Sequence, residues 1–125
     1  MHTRRYKCII LGDFNFECHH SNRGYRDFVP IMNDLHLSVC DSMNINQVGY
    51  TYSHNSLPHK SLLDHVFVHN DILPLVSDYE VILDAVNLSD HLPLQFSLSV
   101  GIVTSPCICR QSKNIYLNAD GTSVT

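Results

Sequence analysis

From Leu92 to Val100 the apolar residues Leu92, Leu94, Phe96, Leu98 and Val100 alternate with Pro93, Gln95, Ser97 and Ser99. A period of two gathers apolar side chains on one side only when the backbone is extended, so this segment reads as a strand with one apolar and one polar face. Strand-sized apolar runs recur at Tyr6 to Leu11, Leu37 to Cys40, Gly49 to Ser53, Leu62 to His69 and Val76 to Leu83, separated by loops of Asn, Asp, Ser, Gly and Pro. One segment changes period. Tyr25, Phe28, Met32 and Leu35 fall at steps of three and four, which predicts a single amphipathic helix near 24–35. Pro30 leaves its start open: near Asp27, with the proline in the first turn, or at Arg23 with a kink.

One helix and about six strands make an α/β chain dominated by strands, in which the helix covers one face of a sheet. The opposite face is then expected to be poorly covered, with self-association through that surface as the consequence. A length of 125 residues leaves room for one domain. Beyond Gly101 the composition turns to that of a linker, so residues 1–100 are read as the domain and 101–125 as a polar tail. No apolar stretch is long enough for a bilayer span, and Cys8-Ile9-Ile10-Leu11 is cut short by Gly12-Asp13 before it can resemble a signal segment. The expectation is an intracellular chain of the nucleus or cytoplasm, without a membrane partner. Five cysteines at irregular spacing fit reduced thiols better than a disulfide framework. Cys18-His19-His20 and Cys107-Ile108-Cys109 lack the paired spacing of a structural zinc site.

Chemistry-bearing residues sit at the ends of the apolar runs, in Gly12-Asp13-Phe14-Asn15, Ser61-Leu62-Leu63-Asp64-His65 and Ser89-Asp90-His91-Leu92-Pro93-Leu94. Strand ends are where a sheet collects polar groups into one cleft without burying them unpaired. Asp13 and Asn15 taken alone read as turn residues, and Ser89-Asp90 with His91 as a turn carrying a surface histidine. Asp64 is harder to dismiss. It lies between Leu62-Leu63 and Val66-Phe67-Val68, where an unpaired charge is costly, so it needs a partner. A formal net charge of −4 argues against a simple nucleic-acid-binding module, yet an acidic cleft handles phosphate when a divalent cation lies between them.

In this order, Gly-Asp-Phe-Asn, Thr51-Tyr52, Ser-Leu-Leu-Asp-His and Ser-Asp-His-Leu-Pro-Leu resemble the C-terminal half of the endonuclease/exonuclease/phosphatase superfamily, which includes DNase I, apurinic endonucleases and the endonucleases of non-LTR retrotransposons. The resemblance runs from Cys8 to about Val100. It implies half of a four-layer α/β/β/α sandwich, and a hydrolase that cleaves phosphodiester or phosphomonoester bonds with Mg2+, Mn2+ being a possible substitute. By resemblance, Asp13 and Asn15 orient the attacking water and hold the scissile phosphate. Asp90 is a metal ligand, His91 contacts the phosphate, and Asp64 orients His91. Nucleic acid, DNA first, is the implied substrate, and the compact loops between motifs are most similar to the retrotransposon branch. The family's N-terminal half, with an asparagine, a metal-binding glutamate and an aromatic phosphate contact, has no counterpart here. The expectation is therefore a truncated phosphoesterase, weak or inactive alone, with a catalytically dead remnant or binding module as the alternative.

Overall fold

Along the chain the elements are β1 (Ile9–Asp13), α1 (Arg23–Asp34), β2 (Leu37–Val39), β3 (Tyr52–Ser53), β4 (Lys60–Ser61), β5 (Asp64–His69), β6 (Val76–Val81), β7 (Leu94–Leu98) and β8 (Val100–Gly101), with 3-10 turns at Asp41–Met43 and Leu73–Leu75. The computed structural model describes residues 6–83 and 86–101, together with the backbone of 112–113, 116–117 and 123–124. The fold is α/β, mostly strands in antiparallel sheets with one helix.

β5 is the centre of a three-stranded antiparallel sheet in the order β1-β5-β2. Its register pairs Ile9 with Val68 and Asp13 with Asp64 on one side, and Leu37 with His69 on the other. The pleat then sorts side chains by parity. Ile9, Leu11, Val66 and Val68 join Val76 and Tyr79 of β6 and Leu94, Phe96 and Leu98 of β7 in one core. Cys8, Ile10, Leu37, Val39 and Phe67 join Tyr25, Phe28 and Met32 of α1 in the other. Three layers result: helix, sheet, and the β6–β7 pair. Because β5 is covered on both faces, its centre, Val66-Phe67-Val68, is a continuous apolar run rather than an alternating one. Phe67 is fully buried, with the rings of Phe14 and Phe28 each 4.9 Å away, so truncating it to alanine is expected to cost about 3–5 kcal/mol.

The expected bare sheet face is not found among the described residues. β6 and β7 lie over it, leaving Val66 and Val68 at 1% and 0% exposure, and the outward residues Ser77, Asp78, Glu80 and Gln95 are polar. The reason given for self-association thus disappears.

The helix begins at Arg23, capped by Asn22, whose side chain accepts hydrogen bonds from the backbone N–H groups of Gly24 and Tyr25. Pro30 lies inside it. Tyr25, Phe28 and Met32 pack as their spacing predicts, but Leu35 is the residue after the helix and is 42% exposed. The chain turns there, with His36 at φ 52. Boundaries shift at β1 as well. Gly12-Asp13 does not break the strand, because Gly12 sits at φ 142 and still pairs with His65, carrying Asp13 to the end of the ladder.

Of the expected tail, Ser112–Lys113 (β9) pairs with β8, and Tyr116–Leu117 (β10) pairs with Ser123–Val124 (β11), β10 running beside β7. The rest of 102–125, including Cys107 and Cys109, lies outside the described residues. Among the described residues no helix is long and apolar enough to cross a membrane.

Candidate active site

The paired ends of β1 and β5 place Asp13 directly across from Asp64. Beyond them the two chains stay joined, because the Phe14 N–H donates to the Leu63 carbonyl at 2.9 Å. The next residue, Asn15, takes a left-handed conformation at φ 53, and its backbone N–H donates to Asp13 Oδ1 at 2.9 Å. Asp13 therefore does close its turn, as the plain reading of Asp-x-Asn holds. Its other oxygen remains available, and 39% of its side chain is exposed.

Asp64 points the other way in burial. Its side chain is 3% exposed and its Oδ2 accepts a hydrogen bond from His91 Nδ1 at 2.7 Å. That is the partner its sequence surroundings required. His91 Nε2 faces Asp13 Oδ2 at 3.8 Å, too long for a hydrogen bond but close enough for electrostatic attraction. The imidazole is thus held by one buried carboxylate and lies beside a second, exposed one. Partial burial works against a charge on His91. The hydrogen bond to Asp64 and the charges of Asp64, Asp13 and Asp90 together outweigh it and raise its pKa above the ordinary histidine value.

Backbone connections fix this placement. Tyr52 and His91 form an isolated antiparallel bridge, the Ser53 N–H donates to the Asp90 carbonyl at 3.0 Å, and the Leu92 N–H donates to the Thr51 carbonyl at 2.6 Å. The loop before His91 is tied to itself. Ser89 Oγ accepts from the His91 N–H at 3.1 Å, and the Asn87 side-chain amide donates to the His91 carbonyl at 2.7 Å. Thr51, fully buried, accepts the N–H groups of both Leu63 and Asp64 on its Oγ1, at 3.1 and 3.0 Å. Asp13, Asn15, Asp64 and His91 are accordingly brought to one edge of the sheet. Asp90, the residue before His91, is held by its carbonyl to the Ser53 N–H and is exposed as a whole, and its charge acts on His91.

Sequence reasoning gave no site role to Thr51, although Thr51-Tyr52 stood in the motif order. It also missed a second polar group. His65, fully buried and adjacent to Asp64, sets Nδ1 at 2.9 and 3.1 Å from the two Asp41 oxygens and Nε2 at 2.6 Å from the Phe16 carbonyl. Both ring nitrogens therefore face acceptors, which requires both to carry a proton. Burial disfavours that charge, but the hydrogen bond and charge of Asp41, the Phe16 carbonyl and the charge of Asp64 raise the His65 pKa overall. Cys18 Sγ lies 3.6 Å from His65 Nδ1, and the Tyr79 hydroxyl donates to Asp41 Oδ1 at 3.3 Å. Burial, then the neighbouring Asp41, pushes the thiols of Cys18 and Cys40 up to about 12. Among the described residues, Cys18, Asp41 and His65 are the group with metal-ligand spacing, their ligand atoms all within 4.8 Å of one another.

A family model described as Endonuclease/Exonuclease/phosphatase family matches residues 2–91, a span that contains Asp13, Asn15, Thr51, Asp64, Asp90 and His91. No curated protein and no solved structure matches the chain.

Proposed function

Because the chain belongs to the endonuclease/exonuclease/phosphatase family, we propose that Asp13, Asn15, Asp64, Asp90 and His91 form the phosphate-handling site of a divalent-metal-dependent phosphodiesterase. The observation that carries this reading is His91 held between the buried Asp64 and the exposed Asp13. Asp64 keeps a proton on Nδ1 and turns Nε2 toward the open side, where a protonated imidazole donates to a non-bridging phosphate oxygen. Asn15, exposed at the same edge, offers its side-chain amide to the phosphate. Asp13 takes the proton from the attacking water, a role supported by its exposed oxygen and by the bias of His91 toward its charged form.

The donors near this edge, the carboxylates of Asp13 and Asp90 and the Asn15 amide oxygen, are hard oxygens of the kind Mg2+ prefers, with Mn2+ as a substitute. Asp90 is the proposed ligand. When bound, the ion neutralises charge on the reacting phosphoryl group. Magnesium commonly rests on one or two protein carboxylates and completes its shell with water and substrate oxygens, so a sparse donor set is compatible with it.

The substrate class that fits is nucleic acid, DNA first, in the manner of retrotransposon-type endonucleases, with the protein acting inside the cell, in nucleus or cytoplasm. The isolated chain is expected to be weak or inactive alone. A second reading, a catalytically dead remnant or binding module, is favoured by one observation. Among the described residues, no three carboxylate or histidine ligands near His91 meet the spacing that Cys18, Asp41 and His65 do.

Nicking of supercoiled plasmid by the purified chain, with and without Mg2+, separates the two. Metal-dependent nicking that disappears in Asp13→Ala and His91→Ala supports the phosphodiesterase. A folded sample that binds DNA without cleaving it, at any Mg2+ or Mn2+ concentration, supports the binding module.

A further inference from the structure

The group formed by Cys18, Asp41 and His65 lies outside the proposed phosphate site and needs a separate account. Its members come from unrelated parts of the chain: the loop between β1 and α1, the turn after β2, and β5 itself. A zinc ion bound tetrahedrally, with Zn–S of about 2.3 Å and Zn–N and Zn–O of about 2.0–2.1 Å, sets its sulfur and nitrogen ligands about 3.5 Å apart and its nitrogen and oxygen ligands about 3.3 Å apart. Here Cys18 Sγ and His65 Nδ1 are 3.6 Å apart, and Nδ1 is 2.9 and 3.1 Å from the Asp41 oxygens. The Cys18–His65 separation already fits, the Asp41–His65 pair would widen slightly, and all three ligand atoms lie within 4.8 Å of one another.

The supporting contacts are also those of a metal site. A ligating histidine usually donates its other N–H to a carbonyl or carboxylate, which fixes the ring, and His65 Nε2 does so to Phe16 at 2.6 Å. A ligating carboxylate is usually hydrogen-bonded in turn, and Asp41 receives the Tyr79 hydroxyl. Solvent approaches the group from the Asp41 side, where that side chain is 16% exposed. A cavity of about 330 Å3, lined by Asp41, Tyr79, Asn44 and Leu62 among others, reaches the carboxylate while His65 stays enclosed.

From this geometry we propose that Cys18, Asp41 and His65 bind one zinc ion that clips the β1–α1 loop onto β5. The donor set of one thiolate, one imidazole and one carboxylate suits zinc and is too soft for magnesium. On binding, a proton leaves Cys18 Sγ and another leaves His65 Nδ1, both to solvent, and water from the cavity fills the fourth position. The clip acts directly behind the phosphate site, because His65 is the neighbour of Asp64 and pairs across the ladder with Gly12. The same loop already touches that side through Glu17, whose Oε1 accepts from the Leu62 N–H at 3.3 Å. This inference does not depend on the phosphodiesterase reading.

Chelator-treated chain of residues 1–125, titrated with Co2+, provides the test. The expected result is a thiolate-to-cobalt charge-transfer band that saturates at one equivalent and is bleached by Zn2+. Cys18→Ser should abolish the band with an unchanged circular dichroism spectrum. Asp41→Asn should keep the band and weaken zinc binding by about tenfold or more. His91→Ala should leave both untouched. Absence of the band in folded protein, or its persistence in Cys18→Ser, overturns the proposal; in the latter case the thiolate ligand is another cysteine. Should either variant misfold, the Cys18 alkylation rate of the unaltered chain, measured at high pH with and without equimolar Zn2+, decides the matter: a rate that Zn2+ lowers below the already slow metal-free rate supports the site, and a rate that Zn2+ leaves unchanged overturns it.

Discussion

His91 Nδ1 and Asp64 Oδ2 are 2.7 Å apart in a pair of unequal burial, the carboxylate side chain 3% exposed and the imidazole 22%. Such a pair orients the histidine from behind while leaving its other nitrogen on the open side, facing Asp13. Removing the charge while keeping the shape isolates that role. Asp64→Asn is expected to leave the fold intact and to lower any phosphodiester cleavage by about 100-fold or more, the usual scale for loss of positioned acid–base assistance. Cleavage by Asp64→Asn at the parent rate would remove Asp64 from the site.

The Asp64–His91 pair also has a consequence for pH. The His91 pKa is raised above its ordinary 6.5 in the folded chain, despite partial burial, by Asp64 with help from Asp13 and Asp90. A raised folded pKa means that the folded state holds the proton more tightly than the unfolded one. The resulting stability is complete below about pH 6.5 and is lost as pH rises through the folded value. Urea midpoints measured across this window should fall with rising pH, and the part of that fall due to His91 should vanish in His91→Gln. A slope unchanged in the variant would assign it elsewhere.

Thr51 makes a structural prediction. Its Oγ1 accepts the N–H groups of Leu63 and Asp64 in a fully buried position, so Thr51→Val removes an acceptor without removing volume. Stranding buried donors costs about 1–3 kcal/mol each, far more than the difference between a methyl and a hydroxyl of equal size. Chemical denaturation should show a loss of about 2 kcal/mol or more. A loss below 0.5 kcal/mol, roughly the scatter of neutral surface changes, would mean that the strand end does not depend on this side chain.

For the metal-free chain, the thiols of Cys18 and Cys40, pushed up to about 12 by burial and then by Asp41, are expected to be poor nucleophiles at neutral pH. Alkylation followed by peptide mass mapping should modify both far more slowly in the folded than in the urea-unfolded chain. Equal rates in the two states would show that the β1–α1 loop and the turn after β2 are open.

Much of the fold is legible in local pattern. Leu94, Phe96 and Leu98 reach the core as their alternation predicts, and Tyr25, Phe28 and Met32 reach it as their three- and four-residue steps predict. Leu35 and Gly12 escape local pattern for opposite reasons. Leu35 fits the helical period, but the helix ends before it. Gly12 looks like a breaker, yet a backbone without a side chain stays in the ladder at φ 142. The covering of the central sheet by β6 and β7 is a long-range event that no window of sequence contains.

The sequence alone determined the candidate residues at strand ends, because a charged or amide side chain beside an apolar run must either meet solvent or find a partner, and their order along the chain carries the family resemblance. Which partners meet follows from long-range pairing and packing. Cys18 and His65 are 47 residues apart, and Asp64 and His91 are 27 apart. Their distances follow from the β1–β5 register, the Tyr52–His91 bridge and the turn after β2, and a register is settled by the packing of both sheet faces together.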